Sequence, residues 1–182
     1  MLLLIDGSGR ADGNGACLAE LIASKYPAVK RVNLRDLDFK DCNSCGDCRK
    51  QNCICTIKDE LQPYYSDFTE ADRIILISPS YYGLPSGDVK KLIDRWYCMK
   101  MPKKQSRFKD GAKILFFLTQ GSRRKISYFT LFWLKMVMKN HKLKYKGIRL
   151  TGCSFDDHKG IKNRESVITK LLRKFTAPLE QI

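Results

Sequence analysis

Short apolar runs alternate along this chain with longer segments in which apolar residues recur every three or four positions. The short runs predict buried strands at 1–5, 29–32, 74–77, 113–118 and 148–153. The longer segments predict helices at 13–25, 60–68, 88–98, 126–141 and 163–175. Strands alternating with helices indicate right-handed crossovers and a parallel sheet. We therefore expect one α/β domain over residues 1–182, with a doubly wound, five-stranded parallel sheet and helices on both faces.

The length and the apolar segments limit the class of protein. A chain of 182 residues is long enough for one well-buried core. Residues 1–5 lack a basic leader and a cleavage site, so we interpret them as a strand and not as a signal peptide. The longest apolar stretch, 126–138, is too short to cross a bilayer, and we expect no membrane contact.

Basic residues are concentrated in the second half of the chain. The net charge is +15, and all of it arises after residue 95, because residues 1–95 carry a net charge of −1 and residues 96–182 one of +16. Such an excess attracts anions: phosphorylated cofactors, acidic proteins or nucleic acid, although a solvated basic surface is an equally good interpretation. Aromatic Phe132 and Trp133 lie near a basic stripe that would serve a nucleic-acid or acidic-protein binding module. The stripe consists of Lys135, Lys139, Lys142, Lys144, Lys146 and Arg149.

A glycine-rich segment, 7–15, follows the first predicted strand and leads into the first predicted helix. Its sequence is Gly7-Ser8-Gly9-Arg10-Ala11-Asp12-Gly13-Asn14-Gly15. A phosphate group is bound by backbone N–H groups at a helix N-terminus, where no Cβ obstructs it. Ser8, Arg10 and Asn14 offer further donors. The spacing fits neither a Walker loop nor the dinucleotide fingerprint, and a strand-to-helix turn without a ligand is the alternative.

Two further segments follow the third and fourth predicted strands. Residues 78–87 read Ser-Pro-Ser-Tyr-Tyr-Gly-Leu-Pro-Ser-Gly, and residues 119–122 read Thr-Gln-Gly-Ser. Tyr81 and Tyr82 could form aromatic walls for a flat ring beside exposed backbone. Open parallel sheets bind ligands outside the carboxyl ends of their strands, where these segments lie. A turn rich in Pro and Gly is the alternative.

Five of the eight cysteines lie within fourteen residues. They are Cys42, Cys45, Cys48, Cys53 and Cys55. Without a secretory signal, clustered cysteines indicate thiol chemistry or metal binding, and we expect a cytoplasmic protein. Four thiolates at such short spacing could hold a [4Fe–4S] cluster, with either Cys53 or Cys55 as the fourth ligand. Structural zinc and free or redox-active thiols are the other interpretations.

Taken in order, these motifs resemble the flavodoxin-like NADPH-dependent FMN reductase family, and within it the branch that includes the iron–sulfur flavoproteins. Residues 7–14 are similar to the family's G-S-x-R-x-x-[SG]-N-T phosphate loop. Residues 78–95 are similar to its S-P-x-Y-x-[GS]…S-G…K…I-D-R segment. Residues 42–60 are similar to the branch's C-x-x-C-x-x-C…C-x-x-x-D-D segment. The resemblance covers residues 1–122, and the basic part 123–182 has no matching motif.

The resemblance implies a flavodoxin-like fold that binds FMN, reduced by NAD(P)H, and passes electrons to flavin, quinone, another small acceptor or a redox protein. It places the FMN phosphate among the residues Ser8, Arg10, Asn14, Gly15 and Ala16. It places the isoalloxazine ring against Pro79, Ser80, Tyr81, Tyr82 and Gly83, and the ribityl chain or ring edge near Thr119 and Gly121. No catalytic side chain is assigned, because the cofactor carries the chemistry. An electron carrier with a [4Fe–4S] cluster on the Cys-rich loop, about 37–57, is the alternative.

Two residues of these motifs depart from the family pattern. Gly15 stands where the family usually has Thr, and Glu60 replaces the second Asp.

Cys17, Cys98 and Cys153 are expected to be inert buried thiols, and His141 and His158 to be surface residues. Asp156-Asp157-His158 is expected to be a solvated turn. The aromatic-rich face of Tyr128, Phe129, Phe132 and Trp133 suggests a homodimer or tetramer.

Overall fold

The computed structural model describes residues 1–103, 105–123, 125–154 and 157–177. The strands are β1 (Leu2–Asp6), β2 (Lys30–Asn33), β3 (Arg73–Tyr81), β4 (Leu84–Pro85), β5 (Lys113–Gln120) and β6 (Lys144–Thr151). The helices are α1 (Asn14–Lys25), α2 (Asp47–Lys50), α3 (Tyr65–Glu70), α4 (Gly87–Arg95), α5 (Ser127–Asn140), α6 (Lys159–Lys162) and α7 (Glu165–Thr176). No helix in these ranges is long and apolar enough to span a bilayer.

The predicted parallel sheet is confirmed, with one addition. Five strands run parallel in the order β2-β1-β3-β5-β6, the order of a flavodoxin-like sheet. The addition is β4, which pairs with the end of β3 in the antiparallel sense. The expected loop 78–87 is therefore largely a tight hairpin. It turns at Tyr82 and Gly83, both of which have positive φ angles.

Helices cover both faces of the sheet, as the apolar runs predicted. Leu3 faces one core, in which the strands pack against α3, α4 and α5. Leu4 faces the opposite core, which is closed by α1, α6 and α7. Because successive side chains of a strand point to opposite faces, a strand buried on both sides must be apolar at every position.

Element boundaries differ from the predictions where the apolar pattern is weak. The last strand begins at Lys144 and not at 148, because β6 is an edge strand whose outward lysines conceal its start. The helix expected at 88–98 ends as α-helix at Arg95 and continues as a 3₁₀ turn, Trp96–Met99. The helix expected at 163–175 is α7, and the one-turn helix α6 precedes it.

Candidate functional site

Three of the predicted loop segments meet at the carboxyl edge of the sheet. The Gly7 N–H donates to the Ile77 carbonyl oxygen at 2.9 Å, which joins the ends of β1 and β3. The Ser86 hydroxyl donates to the Gly7 carbonyl oxygen at 2.7 Å. On the other side of β3, Pro79 is paired in register with Thr119 of β5. The segments 7–15, 78–87 and 119–122 therefore form one continuous surface.

The N-terminus of α1 is a ready anion-binding site. The N-cap residue, Gly13, makes no side-chain capping bond, and the first turn holds no acidic residue. Ser8 is only 4% exposed, and its hydroxyl has no hydrogen-bond partner among the described residues. The Asn14 amide donates from Nδ2 to the Ser154 carbonyl oxygen at 2.6 Å, while its buried Oδ1 has no partner in the described chain. Unpaired backbone donors at a helix N-terminus favour an anion.

Gly15 leaves room for the Ser8 side chain. A Cβ built on Gly15 would lie 1.9 Å from the Ser8 hydroxyl oxygen, far inside van der Waals contact. In this chain the Ser8 hydroxyl therefore occupies space that a side chain at position 15 would need. Ala16, the other predicted residue of this segment, is buried in the core against the sheet.

Arg10 is directed toward its own loop. Its guanidinium donates from Nε to Asp12 Oδ1 at 2.9 Å and from Nη2 to Asp12 Oδ2 at 3.0 Å. The hydrogen bond from Arg10 lowers the pKa of the exposed Asp12 carboxyl. An exposed pair of this kind contributes little to stability.

Asp6 and Arg35 also belong to this surface, and the sequence analysis did not select them. Asp6 is fully buried at the end of β1, where it accepts hydrogen bonds from the Ser8 N–H and from Arg35. Arg35 lies in the 3₁₀ turn Leu34–Asp36 that follows β2. A charged residue directly after a buried strand was the available signal. Its arginine partner, 29 positions away, depends on the tertiary fold.

The hairpin between β3 and β4 presents aromatic side chains to solvent. Tyr82 is 99% exposed, and Tyr81 is about half exposed. Gly83 has φ +84°, and a Cβ there would lie 2.9 Å from the side chain of Ile126. The Thr130 hydroxyl, on α5, donates to the Gly83 carbonyl oxygen. The hairpin is therefore fixed against the start of α5, while its tyrosine rings stay accessible.

A larger exposed apolar surface continues from this hairpin along α5. We call it the apolar surface; its members are Tyr81, Tyr82, Leu84, Ile126, Tyr128, Phe129, Phe132 and Met136. Phe129 and Phe132 are each 63% exposed. Trp133, which the sequence grouped with them, instead lines a cavity on the other side of the helix.

That cavity, which we call the thiol cavity, has a volume of about 670 Å³ and lies between the Cys-rich loop and helices α4 and α5. Five thiols line it: Cys42, Cys45, Cys48, Cys55 and Cys98. Cys53 does not; its sulfur lies 4.0 Å from the Asp47 carbonyl oxygen. Burial raises the pKa of the Cys48 thiol, and the neighbouring Cys55 raises it further.

The cysteine sulfurs of the loop share this cavity without converging on one point. All eight cysteines are free thiols. Among the described residues, no three His, Cys, Asp or Glu side chains are close enough together to hold a single metal ion. The loop between Cys42 and Cys55 contains only the one-turn helix α2, so few backbone hydrogen bonds would oppose a closer approach of the thiols.

His141 lies on the wall of the thiol cavity, and its position corrects one prediction. His141 is 2% exposed, so the expectation of a surface residue was wrong. The chain turns inward after α5 and places the imidazole edge-on against Phe108, with ring centroids 5.4 Å apart. Burial lowers the pKa of His141 to about 4. The neighbouring Arg95 is also buried, and it forms an ion pair with Asp59 at 2.5 Å.

The remaining single cysteines and histidines differ in burial. Cys98 and Cys153 are buried as expected, and burial raises the pKa of Cys98 to about 11. Cys17 is only half-buried. His158 is half-buried at the start of α6, and Asp156 lies outside the described residues.

The basic stripe follows the exposed side of α5 and β6. Its five lysines are exposed, and the Arg149 guanidinium stacks on the Tyr128 ring at 4.2 Å. A second group of cations, Arg49, Lys100 and Lys103 with Lys139 and Lys142 of the stripe, surrounds a surface pocket beside the thiol cavity. These cations are compatible with an anionic partner, but their positions do not distinguish one kind of anion from another.

The fold and the order of its strands define a flavodoxin-like α/β protein. A putative quinone reductase from Klebsiella pneumoniae has a solved structure that matches 97% of this chain and 84% of its own, with a TM-score of 0.73 and 14% identity. The sequence model of the NADPH-dependent FMN reductase family matches residues 1–144. The chain belongs to this family.

Curated relatives are iron–sulfur flavoproteins. One from Archaeoglobus fulgidus is 35% identical over 98 residues, which cover 52% of this chain and 47% of that protein. Another from Methanosarcina thermophila is 33% identical over 115 residues, covering 60% of this chain and 59% of the relative. The chain spans about half the length of the curated relatives it matches.

Proposed function

We propose that this protein is an FMN-dependent oxidoreductase that uses NAD(P)H to reduce flavin, quinone or another small acceptor. The observation that carries the proposal is the buried, unpartnered Ser8 hydroxyl beside the uncapped N-terminus of α1. Buried polar groups are nearly always hydrogen-bonded, so this hydroxyl indicates a missing ligand atom. A phosphate oxygen would satisfy both the hydroxyl and the helix N–H groups. Membership of the FMN reductase family supports FMN as the source of that phosphate.

In this proposal the glycine-rich segment holds the phosphate group. Ser8 and Asn14 donate from their side chains, Arg10 turns from Asp12 to pair with the phosphate, and Gly15 and Ala16 donate from the backbone at the start of α1. The absence of a Cβ at Gly15 keeps the Ser8 hydroxyl in the position described above.

The isoalloxazine ring would lie at the ends of β3 and β5. Residues 79–83 form one side of this site, and Thr119 and Gly121 form the other. Bound FMN would accept hydride from NAD(P)H and deliver electrons to the acceptor, so the chain needs no catalytic acid or base of its own. The exposed hairpin supplies orientation while leaving the ring accessible to both the nicotinamide and the acceptor.

We further propose that two copies of the chain associate through the apolar surface. Its large side chains lie next to the proposed flavin ring, and contiguous exposed apolar patches of this kind mark interfaces. The eight free thiols support function in a reducing compartment, the cytoplasm.

Reconstitution with FMN tests the proposed activity. NADPH or NADH is mixed with the apoprotein, with and without FMN bound, in the presence of a soluble quinone. We expect oxidation of the nicotinamide only in the FMN-loaded sample. A loaded protein that oxidises neither nucleotide would contradict the reductase and leave an electron carrier.

A second function is favoured by the thiol cavity: one-electron transfer through a [4Fe–4S] cluster. The cavity supplies four thiols from one loop, the donor type and number that such a cluster requires. We propose the ligands Cys42, Cys45, Cys48 and Cys55. Cys53 does not line the cavity, which favours Cys55 as the fourth ligand.

Paired serine variants distinguish the two fourth ligands. Each is purified without oxygen, and its iron is measured beside its FMN content. We expect Cys55→Ser to lose most of the iron and Cys53→Ser to retain it, with the same FMN in both. Iron that is lost in Cys53→Ser alone would exclude this ligand set, and an iron-free parent protein would exclude the cluster while leaving the flavin function in place.

A further inference from the structure

A buried carboxylate, that of Asp6, adjoins the segment that we propose to bind phosphate. Asp6 has no exposed surface and lies two residues before Ser8. Its Oδ1 accepts the Ser8 N–H at 3.0 Å, and its Oδ2 accepts Arg35 Nη1 at 2.8 Å. Arg31 is more distant, with Nη2 3.9 Å from the same oxygen, and is also bound to Glu20.

This carboxylate has two opposite effects on an anion site. By accepting the Ser8 N–H it fixes the backbone of the phosphate segment and thereby the direction of the unpartnered hydroxyl. By its charge it repels a phosphate dianion, and the repulsion is strong because the surroundings are buried and weakly polarisable. Arg35 offsets that charge, and it also reaches the Ser8 carbonyl oxygen at 3.4 Å.

We propose that Asp6 and Arg35 form a positioning pair for the FMN phosphate. Asp6 holds the Ser8 backbone, and Arg35 neutralises Asp6 so that a dianion can bind above it. Neither residue needs to touch the ligand, so both act through Ser8 and through charge. The inference rests on the proposed function, because it assumes that the ligand at this segment carries a phosphate group.

Because Arg35 is proposed to neutralise Asp6, removing the charge at one position and at the other should change FMN affinity in opposite directions. Arg35→Met leaves Asp6 without its nearest cation, and we expect FMN affinity to fall about tenfold or more. Asp6→Asn keeps an oxygen that can accept the Ser8 N–H and removes the charge, so FMN affinity should stay level or rise. The double variant should regain most of the affinity that Arg35→Met loses. Riboflavin, which lacks the phosphate, should bind equally well to all of them.

Binding of FMN and of riboflavin to the apoproteins, measured by quenching of flavin fluorescence, tests the inference. Lys30→Met is the control, because it breaks another cation–carboxylate pair, Lys30 of β2 with Asp67, while Lys30 is paired in register with Leu3 and not with Asp6. Arg35→Lys retains the cation and should keep most FMN affinity even where Arg35→Met folds poorly. An equal loss of FMN and riboflavin in Arg35→Met, or a loss of FMN affinity in Asp6→Asn, would overturn the positioning pair. A parent apoprotein that binds neither flavin would instead overturn the proposed function, and the inference with it.

Discussion

The Ser86 hydroxyl donates a 2.7 Å hydrogen bond to the Gly7 carbonyl oxygen and so links the phosphate segment to the start of α4. The same hydroxyl accepts the Val89 N–H at 3.5 Å as the N-cap of that helix. Ser78 adds a second connection, because its hydroxyl accepts the Ser86 N–H at 2.8 Å. One serine thus joins two loops that come from different strands and would contact different parts of FMN.

Replacing that serine should affect both stability and flavin binding. We expect Ser86→Ala to lower the free energy of unfolding by about 1–2 kcal/mol, since it removes a cap and leaves a buried carbonyl unpaired. FMN should also bind more weakly, because the two loops are no longer joined. Ser66→Ala is the control: that hydroxyl bonds only the nearby Pro63 carbonyl at an exposed site. Urea unfolding curves that coincide for the two variants would argue against the link.

Alanine should destabilise the protein more at Gly83 than at Gly111, a glycine that also has a positive φ angle. Gly83 and Gly111 have φ +84° and +77°, so alanine is strained by about 1 kcal/mol at each. Only at Gly83 does the added Cβ approach another side chain, that of Ile126. Gly83→Ala should therefore lower the melting temperature more than Gly111→Ala. Equal shifts would show that the hairpin is free to move from α5.

Acid should destabilise the fold through His141. Its pKa in the folded protein is about 4, below the ordinary value of 6.5, so the unfolded chain takes up this proton first. The stabilisation is complete above pH 6.5 and is lost as pH falls toward 4, by about 2–3 kcal/mol. The lowered pKa of Asp72, about 2, adds its own loss at lower pH.

A variant isolates this contribution to the pH dependence. His141→Phe keeps the aromatic contact with Phe108 and removes the proton. Chemical unfolding of this variant between pH 7 and 4 should show a shallower decline in stability than that of the parent protein. Parallel declines would mean that His141 opens to solvent and titrates normally.

The apolar surface should control association. Phe129→Glu places a charge at the centre of the proposed interface, and we expect it to convert a dimer or tetramer into a monomer in light scattering. Val167→Glu is the matched control, because Val167 is 66% exposed on α7, away from this surface. A parent protein that is already monomeric would contradict the interface.

The buried strands and the order of the loops were predictable from the sequence, and for a clear reason. A strand covered on both faces is apolar at every position, so β1, β3 and β5 stand out as runs. Once parallel strands alternate with helices, their carboxyl ends share an edge, and segments 7–15 and 78–87 must be neighbours.

Features that depend on tertiary partners were not predictable. The start of β6 was missed because Lys144 and Lys146 lie on an edge strand. The inward turn of His141 and the pairing of Asp6 with Arg35 depend on residues far apart in the chain. The cysteine spacing alone left Cys53 and Cys55 equal, whereas in the folded loop Cys55 lines the thiol cavity and Cys53 does not.

The most direct measurement is an anaerobic visible spectrum of the protein loaded with FMN, recorded before and after NADPH is added. The account predicts a bound flavin with bands near about 375 and 450 nm, of which the second bleaches as NADPH is consumed. A protein that stays colourless after incubation with FMN, or a bound flavin that neither NADPH nor NADH bleaches, would contradict the proposed FMN-dependent reductase.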